Sequence, residues 1–238
     1  MAALQPDMDQ NRLLATLPKA DLEQIADDLE YVSLPLGTSL AGVGKPIEYV
    51  YFLTDGIGSV VVTTPEGYRT EAGIFGFDGY VPTSAIAGVE VSPHDVVIMV
   101  EGGGYRMAYD AFRLRMDGNR NMSKVMIRSI ESFSVQLAYT VTSNAIHDID
   151  VRLARWLLMC HDRIKGDKIH LTHDFIATML AVRRPSVTTA LHVLEGHHFI
   201  RSERGNVVIR DRPALQEYAR DAYGKPEMEF ERLMKDLF

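Results

Sequence analysis

The sequence predicts an α+β protein in which an antiparallel β-roll is followed by a long helix and a C-terminal helical module. Residues 32–107 hold short runs rich in Val, Ile, Tyr and Phe between glycine turns, which is typical of antiparallel strands. Residues 119–146 lack proline and glycine and repeat apolar side chains every three to four positions, which predicts an amphipathic helix. Residues 171–210 show the pattern of two short helices followed by a β-hairpin.

The N-terminal segment is expected to be a lid or packing helix. Apolar side chains recur at helical spacing from Arg12 to Tyr31, with Pro18 interrupting the helix. Within the roll, Tyr49–Leu53 and Ser59–Val62 are expected as separate strands. The triple glycine Gly102–Gly104 is expected at a hairpin bend, because glycine clusters mark turns.

The helix predicted over residues 118–146 carries a continuous apolar stripe. Such a stripe packs either on its own domain or on a second copy of the chain. Its length and its place between two domains favour the second copy, so we expect a dimer interface. The residues of this stripe are Met126, Ile130, Phe133, Leu137 and Val141.

Residues 171–210 predict a helix-turn-helix with a wing. Thr172 can cap the first helix, and Ala181–Arg183 breaks it. Pro185 suits the first turn of the second helix, since the N–H that proline lacks would be unpaired there. The hairpin over residues 199–210 carries arginines on both arms and turns at Glu203–Asn206. The alternative for the two helices is an ordinary helical hairpin in a core.

Charge favours double-stranded DNA as the partner of this C-terminal module. Residues 151–220 carry twelve Lys and Arg against seven Asp and Glu, a net charge of +5. The whole chain carries −7, so the remainder carries −12. A basic module in an otherwise acidic protein is typical of phosphate binding by that module.

The order of these elements resembles the Crp/Fnr family of bacterial transcription regulators over nearly the whole chain. The most specific pieces are Glu48–Gly56, similar to the family's glycine turn in the roll, and Ile176–Ile200, similar to its helix-turn-helix. The resemblance implies a jelly-roll, cyclic-nucleotide-binding-like β-roll at 1–117, a dimerisation helix at 118–146 and a winged helix-turn-helix at 147–238. It also implies a homodimer on a near-palindromic operator, with RNA polymerase as a further partner.

The same resemblance assigns roles to residues of the second helix. Arg184 falls where the family places a base-reading arginine, and Arg183 and Ser186 fall where it places DNA-backbone contacts. Pro185 and Thr189 stand where the best-known members carry a glutamate and a second arginine, so the operator should differ from theirs. The expected DNA contacts, with Thr172 and Arg204 on phosphates, are Thr172, Arg183, Arg184, Ser186, Thr189, His192 and Arg204.

The roll departs from the family members that bind cyclic nucleotides. Those members carry a Gly-Glu pair followed by Arg-Ser or Arg-Thr, whereas the corresponding residues 73–84 here lack both, and residues 70–105 hold no Lys or Arg. Burying a phosphate without a cation is costly, so neither cyclic AMP nor cyclic GMP is expected to bind. Asp78, Thr83 and Ser84 are candidates for an effector pocket, although a solvated turn is the alternative for Asp78.

Other classes of protein are disfavoured, and we expect no catalysis, metal or cofactor. A single cysteine, Cys160, excludes internal disulfides, four-cysteine zinc sites and all-cysteine iron–sulfur clusters. No stretch approaches the ~20 apolar residues of a membrane helix, and no signal-peptide pattern is present, so we expect a cytoplasmic protein. The alternative function is a non-catalytic ligand-binding or protein-interaction scaffold with a degenerate roll and weak DNA binding.

Overall fold

A bent antiparallel sheet forms the N-terminal half of the computed structural model, which describes residues 8–238. Its strands are β1 (Leu29–Leu34), β2 (Ser39–Ala41), β3 (Tyr49–Thr63), β4 (Arg69–Phe75) and β5 (Asp95–Ala108). The strand order is β1-β5-β3-β4, and β2 also pairs with β5. All of these pairs are antiparallel, as the alternating apolar runs predict.

Strand β3 bends at Gly56 and continues, so the prediction of separate strands in this region is wrong. Gly56 has a φ of 82°, and a Cβ there would lie 2.6 Å from the carbonyl oxygen of Val100. The register against β5 shifts on both sides of Asp55, which marks a bulge. The bulge turns one strand of 15 residues around the roll.

The triple glycine lies inside β5, so the predicted hairpin bend at Gly102–Gly104 is also wrong. A Cβ on Gly102 would lie 2.3 Å from the carbonyl oxygen of Asp55, and one on Gly104 would lie 2.5 Å from that of Phe52. These glycines allow the neighbouring backbone of β3 to come close where the sheet bends.

The N-terminal helical segment is shorter than predicted. Helices α1 (Arg12–Thr16) and α2 (Lys19–Ile25) flank Pro18, and a single 3-10 turn follows. Residues 29–34 then form β1, which pairs with β5 from Met107 to Gly102. Pairing along an open sheet edge therefore overrides the helical spacing of the last apolar residues in the segment.

The long helix is α4 (Arg120–Ile146), which follows α3 (Tyr109–Gly118). Asn119 separates the two helices, and its side chain accepts a hydrogen bond of 2.9 Å from the Met122 N–H. This cap satisfies one of the N–H groups that the first turn of a helix leaves unpaired. The helical prediction for this segment is therefore confirmed.

Helix α4 packs closely on β4 because Gly73 carries no side chain. A Cβ at Gly73 would lie 2.8 Å from Gln136 Oε1 and 2.9 Å from the ring of Phe133. The Gln136 side chain accepts a hydrogen bond from the Ile74 N–H at 2.9 Å and donates one to the Ile74 carbonyl at 3.1 Å. The helix thus continues the hydrogen bonding of the sheet.

The C-terminal half begins with helices and a small sheet around one core. Its elements are α5 (Ile149–His161), β6 (Lys168–His170), α6 (His173–Met179), α7 (Arg184–Gly196), β7 (Ile200–Glu203), β8 (Asn206–Ile209) and α8 (Arg212–Ala219). The strand order is β6-β8-β7, so the predicted hairpin gains a third strand that the sequence did not indicate. The inward stripe of α7, which includes Val187, Leu191 and Leu194, is buried.

The last helix, α9 (Lys225–Met234), leaves this core and packs against α4. Arg128 donates to the Leu233 carbonyl at 2.7 Å, and Lys124 donates to the Leu237 carbonyl at 2.6 Å. Phe230 belongs to the same hydrophobic cluster as α1 and the roll. The sequence placed all of residues 147–238 in the winged-helix module, whereas the end of the chain packs on the N-terminal half.

The α+β class, with an antiparallel roll, a long helix and a winged helix-turn-helix, is confirmed. None of the helices in residues 8–238 combines the length and the apolar character that crossing a bilayer requires.

We predict that Gly73→Ala lowers the free energy of unfolding by about 1–3 kcal/mol, because the added methyl group displaces Gln136 and Phe133. Urea denaturation measures this change. The matched control is Gly118→Ala, since no atom lies within 4 Å of the added Cβ there. Equal stability of the Gly73 variant and the wild type would contradict this account of the packing.

Candidate nucleic-acid interface and central cavity

The helix-turn-helix is built from α6 and α7. The Thr172 hydroxyl caps α6 by accepting a 3.2 Å hydrogen bond from the Phe175 N–H, as predicted. Ala181 adopts a left-handed φ of 52° in the turn, which ends the helix direction without a glycine. Helix α7 begins at Arg184, so Pro185 lies in its first turn.

The outer face of α7 presents three of the predicted DNA contacts. Arg184, Thr189 and His192 are exposed. The Arg184 Nε lies 3.4 Å from a carboxylate oxygen of Asp174, and this exposed pair is worth only about 0–1 kcal/mol. The Thr189 hydroxyl donates to the Pro185 carbonyl at 3.1 Å, which leaves its lone pairs free to accept.

The remaining predicted contacts differ in exposure. Arg183 is exposed just before α7, and Arg204 is exposed at the two-residue turn of the wing. Thr172 is exposed, although its hydroxyl already caps α6. Ser186 is half-buried and lines a small groove against Asp150 of α5, so only part of its surface is open for the predicted DNA contact.

The charge of the module is distributed differently from the sequence count. Arg155 and Arg163 are buried, Arg212 is paired with Asp162, and Arg152 is half-buried. Burial also lowers the pKa of Arg155 to about 10. These four arginines support structure. The cations left exposed on this module are Lys165, Lys168, Arg183, Arg184, Arg201, Arg204, Arg210 and Arg220.

A buried carboxylate joins the roll to the DNA-binding module. Glu71 on β4 accepts hydrogen bonds from the Ser59 hydroxyl at 2.7 Å and from Trp156 Nε1 at 2.6 Å. Burial raises the pKa of Glu71 to about 7, and the two hydrogen bonds and the nearby Arg155 and Arg163 only partly oppose this rise. Protonation of one side chain therefore changes the contact between the two halves.

A cavity of about 270 Å³ lies where the roll, α4 and the C-terminal segment, residues 223–231, meet. The roll contributes Asp78 and Thr83, so the alternative of a solvated turn for Asp78 is wrong. The side chain of Asp78 pairs with Arg163, at 3.1 Å to Nε and 2.5 Å to Nη2. Ser84 does not line the cavity, and its buried hydroxyl has no partner among residues 8–238.

Two arginines reach the cavity from distant parts of the sequence. The sequence analysis considered only residues 70–105 and missed them. Arg12 comes from α1 and pairs with Glu231 at 2.8 Å, and Arg163 comes from the end of α5. Both guanidinium groups are therefore already matched by a carboxylate.

The predicted dimer stripe faces mostly inward. Met126 is fully buried in the core of its own chain, so its assignment to a dimer interface is wrong. Ile130 packs on the same cluster, and Phe133 and Leu137 lie against Gly73 of β4. Of the predicted stripe only Val141 is exposed. It belongs to an exposed stripe of α4 that consists of Ile127, Glu131, Ser134, Ala138, Val141 and Ala145.

No group of three or more His, Cys, Asp and Glu in the described residues could hold a metal ion. Cys160 is fully buried, and burial raises the pKa of its thiol well above the ordinary value. A thiol in this environment is a packing group and not a nucleophile.

Comparison with known proteins supports the assignment of the C-terminal module. Residues 151–218 match the family described as the Crp-like helix-turn-helix domain. A search of curated protein sequences gave no match.

Several solved structures share the fold of the chain. A putative Crp/Fnr-family transcriptional regulator from Eubacterium rectale is 17% identical with a TM-score of 0.67, over 90% of this chain and 100% of that one. FixK2 from Bradyrhizobium japonicum is 15% identical with a TM-score of 0.67, over 80% and 96%. A CRP-family transcriptional regulator from Thermus thermophilus is 19% identical with a TM-score of 0.65, over 80% and 96%. Together with the domain match, these structures confirm the resemblance to Crp/Fnr regulators.

We predict that the free energy of unfolding falls as pH rises from about 4.5 to 7, by up to about 3 kcal/mol. Folding raises the pKa of Glu71, so the folded protein holds this proton more tightly than the unfolded chain does. The resulting stabilisation is fully present below the unfolded pKa and is lost as the pH rises through the folded pKa. Glu71→Gln should flatten this part of the pH profile in urea denaturation. Glu66→Gln, at the exposed tip of the neighbouring hairpin, should keep the wild-type profile. An unchanged slope in Glu71→Gln would refute the assignment.

Proposed function

Because residues 151–218 form a Crp-like helix-turn-helix domain on a chain with the Crp/Fnr fold, we propose that this DNA-binding transcription regulator acts as a homodimer on a two-fold operator. The observation that carries the proposal is the exposed face of α7 beside a basic wing. Arg184 and Arg204 project from these two elements. An arginine at a helix N-terminus can donate two hydrogen bonds to the edge of a guanine in the major groove.

The dimer interface follows the exposed stripe of α4. Ile127 and Val141 are 58% and 70% exposed, and Glu131, Ser134 and Ala138 lie between them along the stripe. Spacing of three and four residues is that of a coiled-coil seam, so two copies of α4 can pack along it. The two recognition helices would then enter major grooves about 34 Å apart.

Cyclic nucleotides are not the effectors in this proposal. Arg12 and Arg163 line the cavity, yet each is paired with a carboxylate of the protein. A cyclic phosphate would have to displace Glu231 or Asp78 and leave that carboxylate without its cation. The cost of this exchange disfavours an anionic ligand.

The proposal assigns no catalytic role and no cofactor to the protein. In this proposal the protein acts by binding operator DNA, and we therefore expect it in the cytoplasm, where the DNA lies. Contact with RNA polymerase stays a prediction from the family resemblance. We also propose the domain boundaries at residues 117 and 146, with α9 packed back against α4 and the roll.

Selection of bound DNA from random sequence tests the proposal directly. A two-fold motif would support a sequence-specific dimer. If no motif is enriched and DNA binding is weak even at low salt, the alternative function, a protein-interaction scaffold with weak DNA binding, is favoured.

We predict that Arg184→Ala and Arg204→Ala lose affinity in different ways. Arg184→Ala should cost on the order of 1–3 kcal/mol at the selected operator and flatten the preference at one base pair per half-site. Arg204→Ala should weaken all sequences equally and reduce the slope of log affinity against log salt by ~1 per phosphate. Fluorescence anisotropy with operator and random duplexes measures both.

The matched control is Arg69→Ala, which removes an exposed arginine from the β4 end of the roll. It should bind both duplexes like the wild type. Equal losses for Arg184→Ala on operator and random DNA would exclude Arg184 as a base reader.

We predict that Val141→Asp yields a folded monomer. The side chain is exposed in the single chain, so folding should be unaffected, whereas a dimer would bury an unpaired charge. Sedimentation at micromolar concentration measures the change. Leu114→Asp, with the same 70% exposure on α3, should remain dimeric. An intact dimer of the Val141 variant would place the interface elsewhere.

A further inference from the structure

The central cavity is built from both halves of the chain. Ser129, Ser132 and Phe133 of α4 form one wall, and the loop after β4 forms another. Glu227 and Phe230 of α9 form a third wall, and α9 follows directly on the DNA-binding module. A molecule bound here would touch the roll, the long helix and the C-terminal segment at once.

Three of the four carboxylates that line the cavity form salt bridges, and the fourth does not. Asp78, Asp162 and Glu231 each form a salt bridge to an arginine. Glu227 has no salt-bridge partner within residues 8–238. One of its oxygens accepts a 3.0 Å hydrogen bond from the Gly224 N–H at the start of α9. Burial raises the pKa of Glu227; the nearby Arg163 opposes this rise, but its guanidinium forms its salt bridge with Asp78. The unmatched charge in the cavity is therefore negative.

The remaining polar groups of the cavity are two hydroxyls. Ser129 and Ser132 are 6% and 8% exposed, and neither hydroxyl has a hydrogen-bond partner among the described residues. Both lie in the lining of the cavity, one helical turn apart on α4. Most of the apolar lining is aromatic and includes Phe75, Phe133 and Phe230, with Ile74, Val81 and Pro226 as its aliphatic part.

We propose that this cavity binds a small aromatic amine, whose ammonium group pairs with Glu227 and whose ring lies among the phenylalanines. The hydroxyls of Ser129 and Ser132 serve as additional hydrogen-bonding groups. A volume of about 270 Å³ is close to the lower end of ligand pockets, which run from roughly 300 to 1,000 Å³, so the ligand is small.

The bound amine acts as the effector of DNA binding, a role that rests on the proposed function. It fastens α9 to α4, and α9 is joined to α8 and the winged helix by a short 3-10 turn at Arg220–Ala222. Ligand binding therefore biases the position of the DNA-binding module relative to the roll.

Calorimetry on the full-length protein with charge-matched probes tests the site. Phenethylamine should bind with a Kd about tenfold lower than phenethyl alcohol, and hydrocinnamate and cyclic AMP should bind more weakly than the alcohol. Glu227→Gln keeps an oxygen for the helix cap and should abolish the preference for the amine. Glu217→Gln, at an exposed position of α8, should preserve the preference for the amine. Ser132→Leu fills the cavity and should weaken every probe.

Two results would overturn the site. One is equal or tighter binding of hydrocinnamate or cyclic AMP, and the other is no binding of phenethylamine at millimolar concentration. Thermal melts of each variant establish that it is folded. An unchanged preference for the amine in folded Glu227→Gln would also exclude the proposed ion pair.

The effector role is measured separately. Saturating phenethylamine should shift the operator affinity of the wild type and leave that of Glu227→Gln unchanged. Amine binding without such a shift would overturn the effector role alone. If the protein binds the amine but does not bind an operator, the proposed function is overturned, whereas the proposed amine site is retained.

Discussion

The buried ion pair between Arg163 and Asp78 is the contact on which the arrangement of the two halves depends. Arg163 comes from the end of α5 and Asp78 from the loop after β4, and their side chains are 7% and 19% exposed. A Cβ on Gly76 would lie 3.0 Å from the Arg163 side chain, so a larger residue would crowd the approach. Removing one partner of such a pair typically costs about 3–5 kcal/mol, because the other charge stays buried. The pair therefore holds the DNA-binding module in one position against the roll.

Three further contacts reinforce that position on either side of the pair. Trp156 donates to the buried Glu71, and Met159 accepts a hydrogen bond from Arg163 through its carbonyl. On the other side, α9 returns from the module to α4 and closes the cavity. The roll, α4 and the C-terminal module thus share one polar junction. A change in charge or occupancy at that junction reaches all three, which is the physical basis for coupling between them.

The helix-turn-helix could be predicted almost entirely from sequence because its determinants are local. The Thr172 cap, the break before Arg184 and the inward stripe of α7 act over four to seven residues. The α4 stripe shows where such reasoning fails. Periodicity identified an apolar face, yet only the position of β4 decides that Phe133 packs inward while Val141 remains exposed. The cations of the cavity were missed for the same reason, since Arg12 and Arg163 are separated by most of the chain.

The sequence by itself determined the class of the fold, the long helix, the winged helix-turn-helix and most of its outward side chains. These features depend on propensity, capping and hydrophobic period, which are properties of neighbouring residues. Tertiary structure alone decided that β3 bends at Gly56 and continues, that α9 packs on α4, and that Glu227 faces the cavity without a salt bridge of its own. Each of these features depends on contacts between residues that are distant in the sequence. Local sequence patterns do not predict such contacts, because the tertiary packing determines which groups are buried and which charges are paired.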